Sequence, residues 1–206
     1  GYYLSGHPVI AIENKVSRIR ANKISDLTND IKRSSLVCLI NSVRQIKDRK
    51  GKPLTFVNFD DGTGVMDGII SSEVIENCHF FLKEGSILCL KGSIEVDDYR
   101  TNDIGALMFR MRVKEVSTID NELKRKISSI EIDVSKSDLL SLENFGDRLE
   151  LIDSKFWSDG SCRINLKVQS NNSEAIIELG DEYKFIPNIE NLFYLEDLFG
   201  KDTLKV

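Results

Sequence analysis

The segment Leu54–Gly68, LTFVNFDDGTGVMDG, leaves its part of the chain few choices. Its first half alternates, so Thr55, Val57 and Phe59 fall on one face of an extended strand and Leu54, Phe56 and Asn58 on the other. Asp60-Asp61-Gly62-Thr63-Gly64 interrupts, and alternation resumes at Val65. Asp and Gly suit a tight turn, because an Asp side chain bonds backbone two residues on and Gly accepts a positive φ. The segment therefore reads as two antiparallel strands joined by a turn.

The neighbouring sequence supplies more strands. Ser35–Ile46 alternates Leu36, Cys38 and Ile40 against Val37 and Leu39, which predicts a long strand bent near Asn41-Ser42. Pro53 opens the second strand, where its missing N–H is tolerated. Val65–Ile70 is the third. Ser72–Leu82 reads as a helix, with Ser71 or Ser72 as cap and Val74, Ile75, Cys78, Phe81 and Leu82 as its apolar stripe. Gly85–Val96 is the fourth strand, and residues 97–103 form a polar loop. Ala106–Val116 is the fifth, with Met108, Arg110 and Arg112 opposite Leu107, Phe109, Met111 and Val113. Five strands with a helix between the third and fourth, over residues 34–117, is the order of an OB-fold barrel. Such a barrel binds on its strand two–three face, framed by the loops joining strands one–two and four–five.

Around this unit the pattern changes. Residues 1–33 read as a lead-in: Gly6-His7-Pro8 breaks regular structure, Val9–Ala21 is weakly helical, and Ser25-Asp26-Leu27 is a turn able to pack on the following domain. Residues 118–126 are a polar connector with the composition for a short helix. Residues 127–206 suit a small α+β domain. Ile127–Val134 is strand-like, and Ser135 or Ser137 can cap a helix through Leu149. Lys155–Ser161 is a loop holding the lone Trp157; Cys162–Gln169 and Glu174–Leu179 form a hairpin. Gly180–Ile186 is another strand-like piece, Ile189–Phe199 a helix stopped by Gly200, and Leu204–Val206 a last short strand. The fold class is thus mainly β plus α+β.

Charge is spread unevenly along the chain. Residues 1–33 carry +3, residues 34–117 carry −1, and residues 118–206 carry −7. The acidic third should be repelled by DNA and is better suited to a protein partner. No apolar run approaches the roughly 20 residues of a membrane-spanning helix, and the N-terminus lacks a signal-peptide layout. It also lacks a starting Met, which suggests an excised fragment or a processed chain. Cys38, Cys78, Cys89 and Cys162 include no CxxC pair, so short-spaced zinc ligation is not expected and a reducing cytoplasm suits them.

Catalytic signatures are missing. Asp60-Asp61 and Asp97-Asp98 are adjacent carboxylates, which point apart on a strand, whereas two-metal chemistry needs carboxylates that converge. The residues that suit binding are different ones. Lys47, Arg49, Lys50 and Lys52 crowd the loop before the second strand. If Thr55, Val57 and Phe59 fill the barrel, Phe56 and Asn58 face outward, and an exposed Phe can stack on a base. Tyr99 and Arg100 sit in the four–five loop, and Arg110 and Arg112 share one face of the fifth strand, where they suit phosphates. Single-stranded nucleic acid is the ligand this set fits.

Several stretches resemble one family. The opening Tyr2-Tyr3-Leu4-Ser5-Gly6-His7-Pro8, the strand pair Thr55–Gly64, and Glu84-Gly85 with Lys91-Gly92-Ser93-Ile94-Glu95-Val96 are similar to motifs of the α subunit of bacterial DNA polymerase III. So are Gly160-Ser161-Cys162-Arg163-Ile164 and Leu179-Gly180-Asp181-Glu182-Tyr183-Lys184-Phe185, followed by a helix ending in Leu-Phe-Gly. The family often has Pro where Arg163 stands and Trp where Tyr183 stands. The resemblance implies a C-terminal, non-catalytic part of the replicase, with the polymerase site and its Mg upstream and no cofactor here. It further implies an OB domain contacting single-stranded template and a terminal domain binding the clamp-loader τ subunit, within the polymerase III holoenzyme. No membrane partner is implied. Two other classes compete. An OB-type anticodon- or RNA-binding module has an Arg before the strand-two Asp, where Asp60 stands here. A pure interaction scaffold would touch no nucleic acid.

Overall fold

The computed structural model of the chain describes residues 6–47, 51, 53–105, 107–136, 142–157, 160–170, 173–200 and 202–206. They divide into two compact units, one of residues 1–13 and 19–119 and one of residues 14–18 and 120–206. Among the described residues no helix is long and apolar enough to cross a membrane.

In the first unit β1 (Arg33–Lys47), β2 (Pro53–Asp60), β3 (Val65–Ser71), β4 (Ile87–Val96) and β5 (Phe109–Thr118) close a barrel in the order β1-β2-β3-β5-β4. β1 does double duty: Arg33–Leu39 pairs with β4, and Leu39–Lys47 pairs with β2. Its register slips between Ile40 and Ser42, where the bend was expected. An extra residue there turns the strand from one side of the barrel to the other. Alternation then decides what lies inside. Leu36, Cys38, Ile40, Val57, Phe59, Met66, Ile70, Leu88, Leu90, Met111 and Val113 fill the interior. Burying each large side chain contributes about 1.5–3 kcal/mol.

The Asp61–Gly64 turn between β2 and β3 has Gly62 at φ +84°, as its sequence requires. The lead-in is not a separate element. Leu27, Ile24 and Ile31 join the barrel core, and the Ala21 N–H donates to the Ser35 carbonyl at 2.8 Å. The expected helix over Val9–Ala21 is reduced to α1 (Pro8–Ala11) and a 3-10 turn at Glu13–Lys15. Its β-branched Val9, Ile10, Ile12, Val16 and Ile19 lower helix propensity; all of them except Ile10 are nonetheless buried.

Two further expectations are corrected. The helix over Ser72–Leu82 is only α2 (Ser72–Ile75), followed by turns. Asn77, His79, Phe80 and Phe81 are poor helix formers. The apolar stripe still packs on the core through Val74, Ile75, Cys78, Phe81 and Leu82. Residues 97–103, expected as a loop, contain α3 (Asp98–Ile104). The Asp97 carboxylate accepts from the Arg100 N–H at 3.2 Å to cap it, and Gly105, at φ +74°, ends it.

The second unit holds α4 (Ile119–Lys126), β6 (Ser129–Asp133), α5 (Leu142–Glu150), β7 (Arg163–Ser170), β8 (Ser173–Glu178), α6 (Ile189–Phe199) and β9 (Leu204–Lys205). The connector at residues 118–126 takes the short-helix form open to it. The described strands form a sheet in the order β8-β7-β6-β9, with β6 and β7 parallel. Asn188 caps α6 through a 2.7 Å bond from the Asn191 N–H, and Leu192, Leu195 and Phe199 form its buried stripe. The loop holding Trp157 contains a 3-10 turn, Ser154–Trp157. Gly180–Ile186 is not a strand: Asp181–Tyr183 is a 3-10 turn, and only Phe185 bridges, to Cys162. Its Gly-Asp-Glu start suits strands poorly.

Candidate nucleic-acid interface

Filling the barrel with Thr55, Val57 and Phe59 turns Phe56 and Asn58 outward. The strand register then sets each of them in a row that crosses the barrel. Arg44 on β1 pairs with Phe56 on β2, Phe56 with Ile69 on β3, Ile69 with Arg112 on β5, and Arg112 with Ser93 on β4. One step along the strands, Ser42, Asn58, Asp67, Arg110 and Glu95 form a second row. Neighbouring strands lie about 4.8 Å apart, so five strands span about 19 Å. Between the rows, Ser42, Arg44, Ile46, Phe56, Asn58 and Asp67 line a cleft of about 350 Å³.

The two rows differ in chemistry. The first has a cation at Arg44, an apolar middle at Phe56 and Ile69, and a second cation at Arg112. The second is a polar chain. Asn41 Nδ2 donates to Asn58 Oδ1 at 3.1 Å, and Asn58 Nδ2 donates to Asp67 Oδ1 at 2.6 Å. Arg100 Nη1, from α3, donates to Asp67 Oδ2 at 2.8 Å. Asn58 is thus held in one orientation, and Arg100 is drawn to the β3 side of the face.

Glu95 clamps both β5 arginines. Arg112 Nε lies 3.0 Å from Glu95 Oε1 and Arg110 Nη2 lies 3.6 Å from Glu95 Oε2. The Arg112 hydrogen bond, helped by the charges of both arginines, holds the Glu95 carboxyl below its ordinary range. The same contact raises Arg112 further. Arg110 Nε is buried and donates to nothing among the described residues. A phosphate reaching either arginine would have to compete with Glu95. Arg44, by contrast, is exposed and makes no ion pair among the described residues.

Of the residues singled out from sequence, Phe56, Asn58, Arg100, Arg110 and Arg112 come together on this face. Lys47 ends β1 opposite Pro53, exposed at the far end of the hairpin. Arg49, Lys50 and Lys52 lie outside the described residues. Tyr99 stands 83% exposed on α3 beside Arg100. Sequence reasoning missed Arg44, Ile69, Asp67 and Glu95. The outward alternation of β1 past its bend carried the signal for Arg44. The carboxylates needed the register, which no periodicity supplies.

Comparison with known proteins agrees with this architecture. Residues 37–119 match the family described as OB-fold nucleic acid binding domain. DNA polymerase III subunit alpha of Pseudomonas aeruginosa is 28% identical over 99% of this chain, and that of Haemophilus influenzae is 27% identical over 100% of this chain. The chain spans 16–17% of the length of these relatives. The mitochondrial single-stranded DNA binding protein of S. cerevisiae overlaps 44% of this chain and 95% of its own, at TM-score 0.35 and 10% identity, too slight a likeness to bear on function. Over its whole length the chain is similar to DNA polymerase III subunit alpha, and its residues 37–119 match the OB-fold nucleic acid binding domain.

Proposed function

We propose that the first unit holds single-stranded template DNA on its outer β1-β2-β3-β5 face, as a non-catalytic part of a polymerase III α subunit. The observation that carries this reading is the row Arg44–Phe56–Ile69–Arg112. It sets an aromatic ring and an aliphatic side chain between two guanidinium groups. A base stacks on Phe56, its flanking phosphates meet Arg44 and Arg112, and neither contact reads sequence. Asn58, Arg100, Arg110 and Tyr99 border the same path, and Lys47 extends it at the hairpin end; in sequence Arg49, Lys50 and Lys52 follow Lys47 and add to its charge. The catalysis of the parent polymerase, its metal included, belongs to other parts of that protein.

Titration of a fluorescent oligonucleotide of about 6 nucleotides over a salt series tests the reading. Phe56→Ala should weaken binding about 5- to 150-fold, the loss of about 1–3 kcal/mol of stacking. Arg44→Gln should flatten the salt slope by about 0.7, one phosphate contact. Unchanged affinity in both variants would remove the site from this face.

The second unit is proposed to tether the polymerase to the clamp-loader τ subunit inside the replicase of the bacterial cytoplasm. Whole-length similarity to the α subunits supports this, as does the −7 charge of residues 118–206, which suits a protein partner better than DNA. Co-purification of the 206-residue chain with purified τ is the expected result. Its failure at micromolar concentrations would place the tether elsewhere.

A further inference from the structure

The outward row does not end at Arg112. Ser93, its β4 neighbour, is itself paired with Arg33, at the start of β1. Because β1 serves both sides of the barrel, a row that begins at Arg44 comes back to the same strand at Arg33. There the surface opens into a second groove, of about 710 Å³, lined by Arg33, Lys91, Lys114, Ser93 and the bare backbone of Gly92. Arg33 and Lys114 are exposed and make no ion pair among the described residues. Lys91 lies 3.0 Å from Glu115, the carboxylate in the groove. Three cations against one carboxylate leave the groove positive in a chain whose formal charge is −5. Among the described residues no aromatic side chain lines it, so it suits phosphates rather than bases.

We propose that this groove is a second binding site, for the phosphate backbone of the strand that leaves the Phe56 face across β5 and β4. The inference rests on the reading of that face given above. The strand stacks at Phe56, crosses Arg112 and Ser93, and is then held by charge alone at Arg33, Lys91 and Lys114. Phe56 and Arg33 are four strand positions apart, about 19 Å along the surface. The two sites are therefore filled together only by oligonucleotides longer than the Phe56 face itself holds. Single OB-folds cover about 4–16 nucleotides, which leaves room for both.

The experiment compares oligonucleotides of about 3 nucleotides, too short to reach from Phe56 to Arg33, and about 16 nucleotides across a salt series, using the 206-residue chain. Its variants are Arg33→Gln with Lys114→Gln, Phe56→Ala, and Lys83→Gln as a charge control outside the groove. In the unaltered protein the longer oligonucleotide should show a salt slope steeper by about 1.4, two extra phosphate contacts at about 0.7 each. The double variant should lose that increment and bind the short oligonucleotide as before, while Lys83→Gln changes neither. An increment that survives in the double variant, or that Lys83→Gln removes equally, overturns the second site. If Phe56→Ala leaves short-oligonucleotide binding intact while the increment still depends on Arg33 and Lys114, the groove stands and the Phe56 face falls. No measurable binding of either oligonucleotide overturns both.

Discussion

The carboxylate of Asp61 accepts the backbone N–H of Ile24 at 2.8 Å, joining the β2–β3 turn to the lead-in that precedes the barrel. Its other oxygen accepts from the Thr63 N–H at 2.9 Å, the Thr63 hydroxyl at 2.7 Å and the Gly64 N–H at 3.2 Å. Asp61 is 1% exposed. One buried carboxylate thus satisfies four donors, and charge-assisted bonds of this kind are the strong ones.

Asp61→Ala should therefore destabilise the first unit by about 3 kcal/mol or more, because several buried donors lose their acceptor at once. Asp61→Asn keeps an oxygen for the turn but sets an amide against the remaining N–H groups, so an intermediate loss is expected. Urea unfolding followed by far-UV circular dichroism measures both. A loss below about 0.5 kcal/mol in the Ala variant would show that the turn and the lead-in hold without it.

Phe56 and Phe59 are three residues apart and should behave as opposites. Phe59 is fully buried in the barrel, so Phe59→Ala should cost about 3–5 kcal/mol. Phe56 lies on the outer face, lining the cleft beside Arg44, so Phe56→Ala should leave the unfolding midpoint nearly unchanged. Equal losses in the two variants would mean that Phe56 is part of the core.

The contrast between these two residues shows what the sequence made legible. Period-two alternation sorted inside from outside on β1, β2 and β5, and the Asp-Gly turn set the hairpin, because both signals are local. Residues 97–103 were read as a loop although Asp97 and Gly105 bracket a capped helix. Cap chemistry was present there, but the short apolar-poor segment hid it. The electrostatics were least legible. Glu95 is fifteen and seventeen residues from the arginines it holds, and Asp67 is thirty-three from Arg100. The β4–β5 pairing brings the first set together, and the β3–β5 pairing that closes the barrel brings the second.

Glu95→Gln should strengthen single-stranded DNA binding. The change removes the carboxylate that Arg110 and Arg112 both face, and each freed guanidinium can add about 0.7 to the salt slope. The cost to stability should stay below about 1 kcal/mol, since these are largely exposed pairs. Acid should act in the same direction. The Glu95 carboxyl is held below its ordinary value of 4.5, so what the pair adds to stability is present above that value and lost as pH falls through the lowered one. A weaker-binding Glu95→Gln variant would mean that Glu95 positions the arginines for DNA rather than competing with it.

Burial pushes the Cys162 thiol from an ordinary value near 9.0 up to about 12, and the nearby Arg18 offsets this only in part. The folded state thus favours the neutral thiol. Stability from this group is fully present below about pH 9 and is lost progressively as pH rises toward 12. Native protein at pH 8 should react slowly with a thiol reagent at Cys162, and urea-unfolded protein quickly. Cys162→Ala should flatten the loss of stability above pH 9. Rapid native-state labelling of Cys162 would contradict its burial.

Gly146 and Gly160 give the same substitution opposite signs within the second unit. Gly146 lies inside α5, exposed, and a Cβ there would meet nothing within 4 Å. Gly160 lies against the backbone that bridges Cys162 and Phe185, and a Cβ there would fall 2.2 Å from the Phe185 nitrogen and 2.3 Å from its Cα. Gly146→Ala should stabilise by about 0.5–1 kcal/mol, because Ala loses less backbone entropy in a helix. Gly160→Ala should destabilise by about 3 kcal/mol, since backbone atoms cannot swing aside as a side chain would. Trp157 is the single tryptophan of the chain and sits beside this region, with its ring 5.5 Å from that of Tyr183. Its fluorescence during urea unfolding therefore reports the second unit directly. Shifts of the same sign in the two variants would mean that the Gly160–Phe185 approach is looser than this packing.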